Sequence, residues 1–428
     1  MDVKGNKIGL ALSGGGYRAA AYHIGTLRTL NKLGILDKVD VISAVSGGSI
    51  VAAYYVLHKD NYEVFEDSFI QKLQRGVLCT TMSYVALVIF ALLLVCHFTS
   101  WWLLIPAITI LLFCWYNIFF VSYLIEHSYN RLFFENKKLS DLPNSPLVAI
   151  NATDVSTGKL FTFSQLKMGG YPYYKSGDYI TPPFDNTQFP IAKAVMASSC
   201  VPFAFSPIKI SKEFCKEKDK TPLLVDGGLY DNQGTHKLSE SKSSYHADYI
   251  VVSDAGNTQI NSKKIYNPIC LLIKTSDIMM DRIKRFQRYS NIYSDANDNR
   301  YAYVPLEWDI SDKLINGFVR NIKDNHIPEV LFKQHNIANT DIINLNSLDP
   351  KIAQDAQKNI TLRLKASIKW DQLSESIPSC ENIEKARSVG TNLVGLKLNE
   401  INVLIEYSAL LAEIQIRLYL PDLISIQK

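Results

Sequence analysis

Not one Asp, Glu, Lys or Arg occurs between Gly76 and Ile125, a run of 50 residues in a chain of 428. Elsewhere charge is ordinary, and the whole chain has 20% charged residues and a net charge of +4. That surplus is too small to hold a polyanion, so nucleic-acid binding is set aside. The seven cysteines, at 79, 96, 114, 200, 215, 270 and 380, form no C-x-x-C pair and no Cys/His cluster. Zinc ligation and a disulfide framework are therefore not expected, and reduced thiols in a cytosol-facing protein are. Neither a Walker A sequence nor an EF-hand loop occurs, so no metal and no organic cofactor is expected. The apolar stretch from Ile8 to Leu12 is too short for a signal-peptide core, which assigns the N-terminus to the cytoplasm.

The uncharged run carries the next expectation. As one helix it would be roughly 75 Å long, more than twice the ~30 Å hydrocarbon core of a bilayer, so it must fold back. The polar cluster His97-Phe98-Thr99-Ser100 divides it into spans at about 79–96 and 101–124, which predicts a transmembrane helical hairpin. Tyr84, Trp101, Trp102, Tyr116 and Tyr123 fall towards its ends or one interface, and Pro106 is placed to kink the second span. Lys72, Arg75, Arg131, Lys137 and Lys138 flank the pair, while its turn has no Lys or Arg. By the positive-inside rule the flanks, and with them both termini, are cytoplasmic. The alternative is a hairpin buried in a large soluble core, or a re-entrant loop.

Outside the run the pattern is α/β. Ile8–Leu12 reads as a buried strand, Ser13–Gly16 as a glycine turn, and Ala19–Leu33 as a helix with apolar residues at 20, 24, 27, 30 and 33, capped by Gly34. Val39–Val45 is a second strand and Gly47–Leu57 a second helix, which is the order of a parallel sheet with crossover helices. Beyond the run, strands are expected at 147–151, 159–163, 223–225 and 249–253, and a helix at 190–199 opened by Pro190. Residues 211–222 read as a charged surface loop. From about 311 the texture is helical, with amphipathic stretches at 351–368 and 396–418.

Three stretches carry chemistry. Ser13-Gly14-Gly15-Gly16-Tyr17-Arg18 lies between a strand and a helix, where glycine N–H groups can receive an oxyanion or phosphate. Gly14, Gly16 and Ala19 also satisfy a dinucleotide spacing, but the acid wanted at the end of the second strand is missing: Asp37 and Asp40 precede that strand. Ala44-Val45-Ser46-Gly47-Gly48 resembles a nucleophile elbow, with Ala44 in the place of the usual first glycine. Read locally, Ser46 is equally well a helix N-cap. Leu223-Leu224-Val225-Asp226-Gly227-Gly228 puts a carboxylate at the C-terminal end of a strand, though Asp-Gly is also an ordinary turn pair.

Together and in this order, the three resemble the patatin-like phospholipase family. Further pieces support the resemblance: His23-Ile24-Gly25, Ala152-Thr153-Asp154 with Ser156-Thr157-Gly158, Ala197-Ser198-Ser199-Cys200-Val201-Pro202-Phe203, and Tyr230-Asp231-Asn232. The matching pieces run through much of residues 7–256. The resemblance implies a three-layer α/β sandwich with a largely parallel central sheet and a Ser-Asp dyad. Ser46 would be the nucleophile, Asp226 the general base, and the N–H groups of Gly14, Gly15 and Gly16 the oxyanion hole, each donor worth roughly 3 kcal/mol in the transition state. Arg18 would orient the glycine loop or meet a lipid head group. A Ser-His-Asp triad is the mechanistic rival; His23 falls on the first helix and His236 lies ten residues past Asp226, and no triad motif places either.

The expected organisation is then a catalytic domain in two parts, 1–75 and 126–310, a hairpin at 76–125 inserted between them, and a helical region at 311–428. The expected function is a membrane-anchored hydrolase of fatty-acyl esters in phospholipid or lysophospholipid. The rival from another class is a catalytically silent membrane scaffold that binds a protein partner through its C-terminal helices.

Overall fold

The computed structural model describes residues 6–98, 102, 105, 106, 109, 121–174, 182–202, 204–216, 221–256, 268–293 and 300–425. Among the described residues nine strands form one sheet: β1 (Ile8–Leu12), β2 (Val41–Val45), β3 (Leu147–Asp154), β4 (Lys159–Phe163), β5 (Met168–Gly169), β6 (Ile208–Lys209), β7 (Leu223–Asp226), β8 (Tyr249–Asp254) and β9 (Arg300–Pro305). The main order is β5-β4-β3-β2-β1-β8-β9, with β7 paired to β3 and β6 to β7. The stretch from β3 through β2, β1 and β8 to β9 is parallel, and β4 to β7 are antiparallel additions.

The helices used below are α1 (Gly16–Lys32), α2 (Gly47–Leu57), α3 (Tyr62–Leu73), α4 (Leu78–Phe98), α5 (Val121–Tyr129), α6 (Ile191–Ser198), α7 (Pro268–Tyr293), α8 (Pro350–Ile368) and α9 (Leu398–Tyr419). Alternation along the parallel strands divides the core in two. Leu10, Leu12, Ile42, Ala44 and Val251 face a large apolar cluster that includes side chains of α1, α2 and α9, whereas Ala11, Ile250 and Val252 face a smaller one with Leu238, Tyr245 and Tyr303. The layer on the second face is thin.

α1 and α9 approach backbone to backbone. A Cβ on Gly25 would lie 2.1 Å from the Ile405 carbonyl oxygen, so only glycine fits there. Fourteen of the 22 residues of α9 are buried. The helical region expected as a unit from 311 onward therefore supplies a core helix to the catalytic fold. Strand β9 and helix α7, absent from the reading of the sequence, fill the stretch between β8 and that region.

The uncharged run behaves differently from expectation. No helix among the described residues is long and apolar enough to cross a membrane. α4 covers the first expected span, but the domain uses its beginning: Thr81 is buried, as is Val77 just before the helix. Residues 82–98 are then about 25 Å long as a helix, short of the ~30 Å core. Much of the second expected span, 101–124, lies outside the described residues, and its last residues belong to α5. There Val121 and Ser122 are buried, and the Ser122 hydroxyl donates to the Ser206 carbonyl at 2.6 Å. A pair of complete spans at 79–96 and 101–124 is not supported. Phe203 and residues 217–220 of the expected surface loop also lie outside the described residues.

Candidate active site

The sheet brings Ser46 and Asp226 together by register. Along one edge of β3, β2 pairs up to Val45 opposite Asn151. At the next position, Ala152, the partner is Asp226 of β7, which arrives antiparallel. The C-terminal ends of β2 and β7 thus meet on β3, and the residue after Val45 turns out beside Asp226. Thr153 fixes the meeting point, donating its hydroxyl to the Asp226 carbonyl at 2.9 Å.

Ser46 sits at φ 51° and ψ −122°, a left-handed conformation that costs an L-residue energy and is retained only where surrounding structure enforces it. The enforcement is visible. The Ser46 N–H donates to Ser198 Oγ at 2.9 Å, and Ser198 donates on to the Asn151 carbonyl at 2.6 Å. Behind the serine the chain touches the glycine loop directly: a Cβ on Gly47 would be 2.0 Å from the Gly16 carbonyl oxygen, and one on Gly48 would be 2.5 Å from that of Leu12. Ala44 is fully buried in the large cluster and leaves this turn intact. As an N-cap Ser46 makes no side-chain bond to the helix; its hydroxyl is directed to the Asp226 carboxylate instead. The local reading of Ser46 as a capping serine is corrected on that point.

Asp226 is buried, and burial raises its pKa to about 6, against the opposing pull of the Gly228 N–H, bonded at 2.7 Å, and the Ser46 hydroxyl. A carboxylate held there is ionised near neutrality yet basic enough to take a proton. Neither histidine near the motifs reaches the pair. His23 lies between Ser253 Oγ and the Ser13 carbonyl, and the backbone N–H of His236 bonds Asp231. Among the described residues no cluster of His, Cys, Asp and Glu is arranged to hold a metal.

The glycine loop departs from expectation at one position. The Gly14 N–H is already spent on the Asn232 carbonyl at 2.9 Å. Gly15 (φ 139°) and Gly16 (φ 59°) adopt conformations that favour glycine, and among the described residues neither N–H has a protein acceptor. They open on a cleft of about 750 Å³ shared by Ser46, Asp226 and Arg18. Its apolar lining includes Leu78, Val201, Phe205, Leu229, Met280 and Leu393. Arg18 is buried, its pKa lowered to about 10 by desolvation with partial compensation from Asp254; its Nη1 donates to the Val389 carbonyl at 3.2 Å and among the described residues its Nε has no partner.

Several contributors were not singled out in the sequence as working residues: Ser198, which fixes the elbow, Thr153, Asn232 and Ser13. All four occur in the stretches that carry the resemblance. Asp154 of the same stretches is structural, accepting from Ser156 N–H and from the hydroxyls of Thr157 and Tyr173.

A glycine N–H pocket, a strained serine and a buried carboxylate at one cleft are the parts of a serine acyl hydrolase. Residues 10–238 match the patatin-like phospholipase family, and the chain belongs to it. No curated protein matches the chain. Among solved structures it is similar to human GIVD cytosolic phospholipase A2, at 13% identity and TM-score 0.47, covering 96% of this chain and 61% of that one. It is similar also to VipD from Legionella pneumophila, at 12% identity and TM-score 0.30, covering 94% and 91%. A third likeness is to full-length ExoU of Pseudomonas aeruginosa, solved with SpcU, at 12% identity and TM-score 0.24, covering 94% and 76%. The chain spans about three-fifths of the human phospholipase chains it matches. Membership rests on the matched domain.

Proposed function

We propose that the protein is a serine hydrolase of lipid acyl esters. Ser46 attacks the ester carbonyl carbon while Asp226 takes the hydroxyl proton, and the N–H groups of Gly15 and Gly16 receive the oxyanion. Collapse of the tetrahedral intermediate expels the alcohol, which leaves with the proton from Asp226, and Ser46 keeps the acyl group. A water that gives its proton to Asp226 then attacks the acyl-serine, and as the C–O bond to Ser46 breaks Asp226 returns that proton to the serine oxygen and the fatty acid is freed. The observation that carries this reading is the end-to-end meeting of β2 and β7 on β3, which sets a left-handed serine beside a carboxylate with pKa about 6.

The substrate class follows from the cleft. Its apolar lining suits an acyl chain, and Arg18, with an unpartnered Nε, suits the phosphate of a phospholipid or lysophospholipid. We read the cleft as opening on a lipid surface. α4 exposes Met82, Leu87, Phe90 and Val95, and α7, whose inner side lines the cleft at Met280 and Lys284, exposes Leu271, Met279 and Phe286 on its outer side. This membrane association replaces the two-span anchor.

Treatment with a fluorophosphonate probe should label wild type and leave Ser46→Ala unlabelled. Wild type should also release fatty acid from phospholipid or lysophospholipid vesicles. A wild type that neither labels nor releases fatty acid would leave the silent scaffold as the function.

A further inference from the structure

The family match ends at residue 238, yet the glycine loop is held by residues far beyond it. On its outer side, the Asn392 carbonyl accepts the Tyr17 N–H at 2.9 Å and lies so close to Gly16 that a Cβ there would be 2.4 Å from the same oxygen. The Val389 carbonyl accepts from Arg18. This strap is fixed in turn: Asn392 Oδ1 accepts the Val394 N–H at 3.0 Å, and the Leu396 N–H donates to the Leu73 carbonyl at 3.0 Å.

On the inner side a buried relay runs from α9 to the loop. Ser408 Oγ lies 2.9 Å from Thr26 Oγ1, Thr26 Oγ1 2.8 Å from Ser253 Oγ, Ser253 Oγ 2.7 Å from His23 Nδ1, and His23 Nε2 2.9 Å from the Ser13 carbonyl. All of these side chains are fully buried. The direction of every bond is forced. A carbonyl only accepts, so Nε2 carries the proton and Nδ1 must accept from Ser253. Ser253 has then used its hydrogen, so Thr26 donates to it, and Ser408 donates to Thr26.

We propose that Ser408 and the strap at 389–392 are positioning elements of the oxyanion loop, so that the C-terminal region completes the active site from outside the matched domain. The proposal rests on the hydrolase reading above. With the Gly14 N–H committed to Asn232, the loop has two N–H groups left for the oxyanion, and their aim is set from both sides by residues 389–408. Without the Ser408 hydroxyl, Thr26 is released to rotate, Ser253 loses its donor, and His23 can adopt the other tautomer, which no longer donates to Ser13. Loss of aim costs transition-state stabilisation more than ground-state binding.

The test is steady-state hydrolysis of a soluble short-chain p-nitrophenyl ester by full-length Ser408→Ala, Ser408→Thr and Asn392→Ala, with Tm measured in parallel. Ser408→Ala should lower kcat about tenfold with KM within twofold. Ser408→Thr, which restores a hydroxyl, should return most of the lost kcat, and Asn392→Ala, which loosens the strap, should lower kcat several-fold. A Ser408→Ala enzyme with unchanged kcat, whatever its Tm, overturns the proposal while leaving the hydrolase reading in place. So does a loss that Ser408→Thr fails to restore. A wild type with no esterase activity overturns both.

Discussion

Replacing Asp226 by Asn separates chemistry from stability in opposite directions. An acid whose pKa is raised from 3.8 unfolded to about 6 folded weakens the fold once ionised. The penalty is absent below pH 3.8, grows as pH rises to 6 and is constant above, at about 3 kcal/mol for a shift of this size. Asn keeps an oxygen for the Gly228 N–H and carries no charge, so Asp226→Asn should melt above wild type at pH 8, and the gap should close below pH 4. Catalysis should move the other way. Without a proton acceptor kcat should fall by a factor on the order of 10² to 10⁴. In wild type kcat/KM should climb about tenfold per unit below pH 6 and flatten above it, because the ionised fraction of Asp226 sets the rate. Differential scanning fluorimetry and the p-nitrophenyl ester assay at pH 4 to 8 read both. An Asp226→Asn enzyme that keeps more than a tenth of its activity, or a wild-type profile flat between pH 4.5 and 7, would refute Asp226 as the base.

Three further outcomes are expected. Gly47→Ala should abolish fluorophosphonate labelling and cost at least about 3 kcal/mol in urea unfolding, because its Cβ would sit 2.0 Å from the Gly16 carbonyl oxygen. His23, its pKa lowered by burial to about 4 from 6.5, contributes stability that is whole above pH 6.5 and is lost as pH falls towards 4, about 3 kcal/mol in all. His23→Gln should therefore flatten the acid side of the stability curve measured by chemical denaturation. Phe286→Asp, on the exposed outer side of α7, should lower co-sedimentation with phospholipid vesicles by about tenfold and leave hydrolysis of the soluble ester unchanged.

The first strand, helix and elbow were legible because each signal is local: a short apolar run, a glycine turn, a 3.6-residue stripe ending at Gly34. Asp226 was legible for the same reason, as a carboxylate stopping a strand. That Asp226 adjoins Ser46 was implied by the family resemblance alone and by no local signal, because it depends on β7 entering antiparallel where β2 stops, a register between residues 180 positions apart. Gly14 looked like its two neighbours in sequence, and only tertiary contact with Asn232 distinguishes it. α7 escaped notice because the side it turns to the fold carries Asp281, Lys284 and Arg288 while Leu271, Met279 and Phe286 are exposed, which reverses the stripe that marks a surface helix. The uncharged run misled by its length. Composition says how much apolar chain is present but not that the domain claims Thr81 at one end and Ser122 at the other. The helices from 311 onward were readable as helices, but the docking of α9 on α1 through Gly25 left no local mark.

The shared edge of β3 makes the reactive pair a matter of counting. Substituting residues within β2 or β7 leaves the pair aligned so long as the strands still form. One residue added to β7 between the Leu224 and Asp226 pairings would advance the chain by about 3.3 Å and turn the next side chain to the opposite face of the sheet. The carboxylate would then face away from the serine, and the Asp226 carbonyl would leave the Thr153 hydroxyl. The alignment of the pair is thus tolerant of substitutions within β2 and β7 and intolerant of insertions and deletions, and a frame of three strands acts as the ruler that measures the nucleophile against its base.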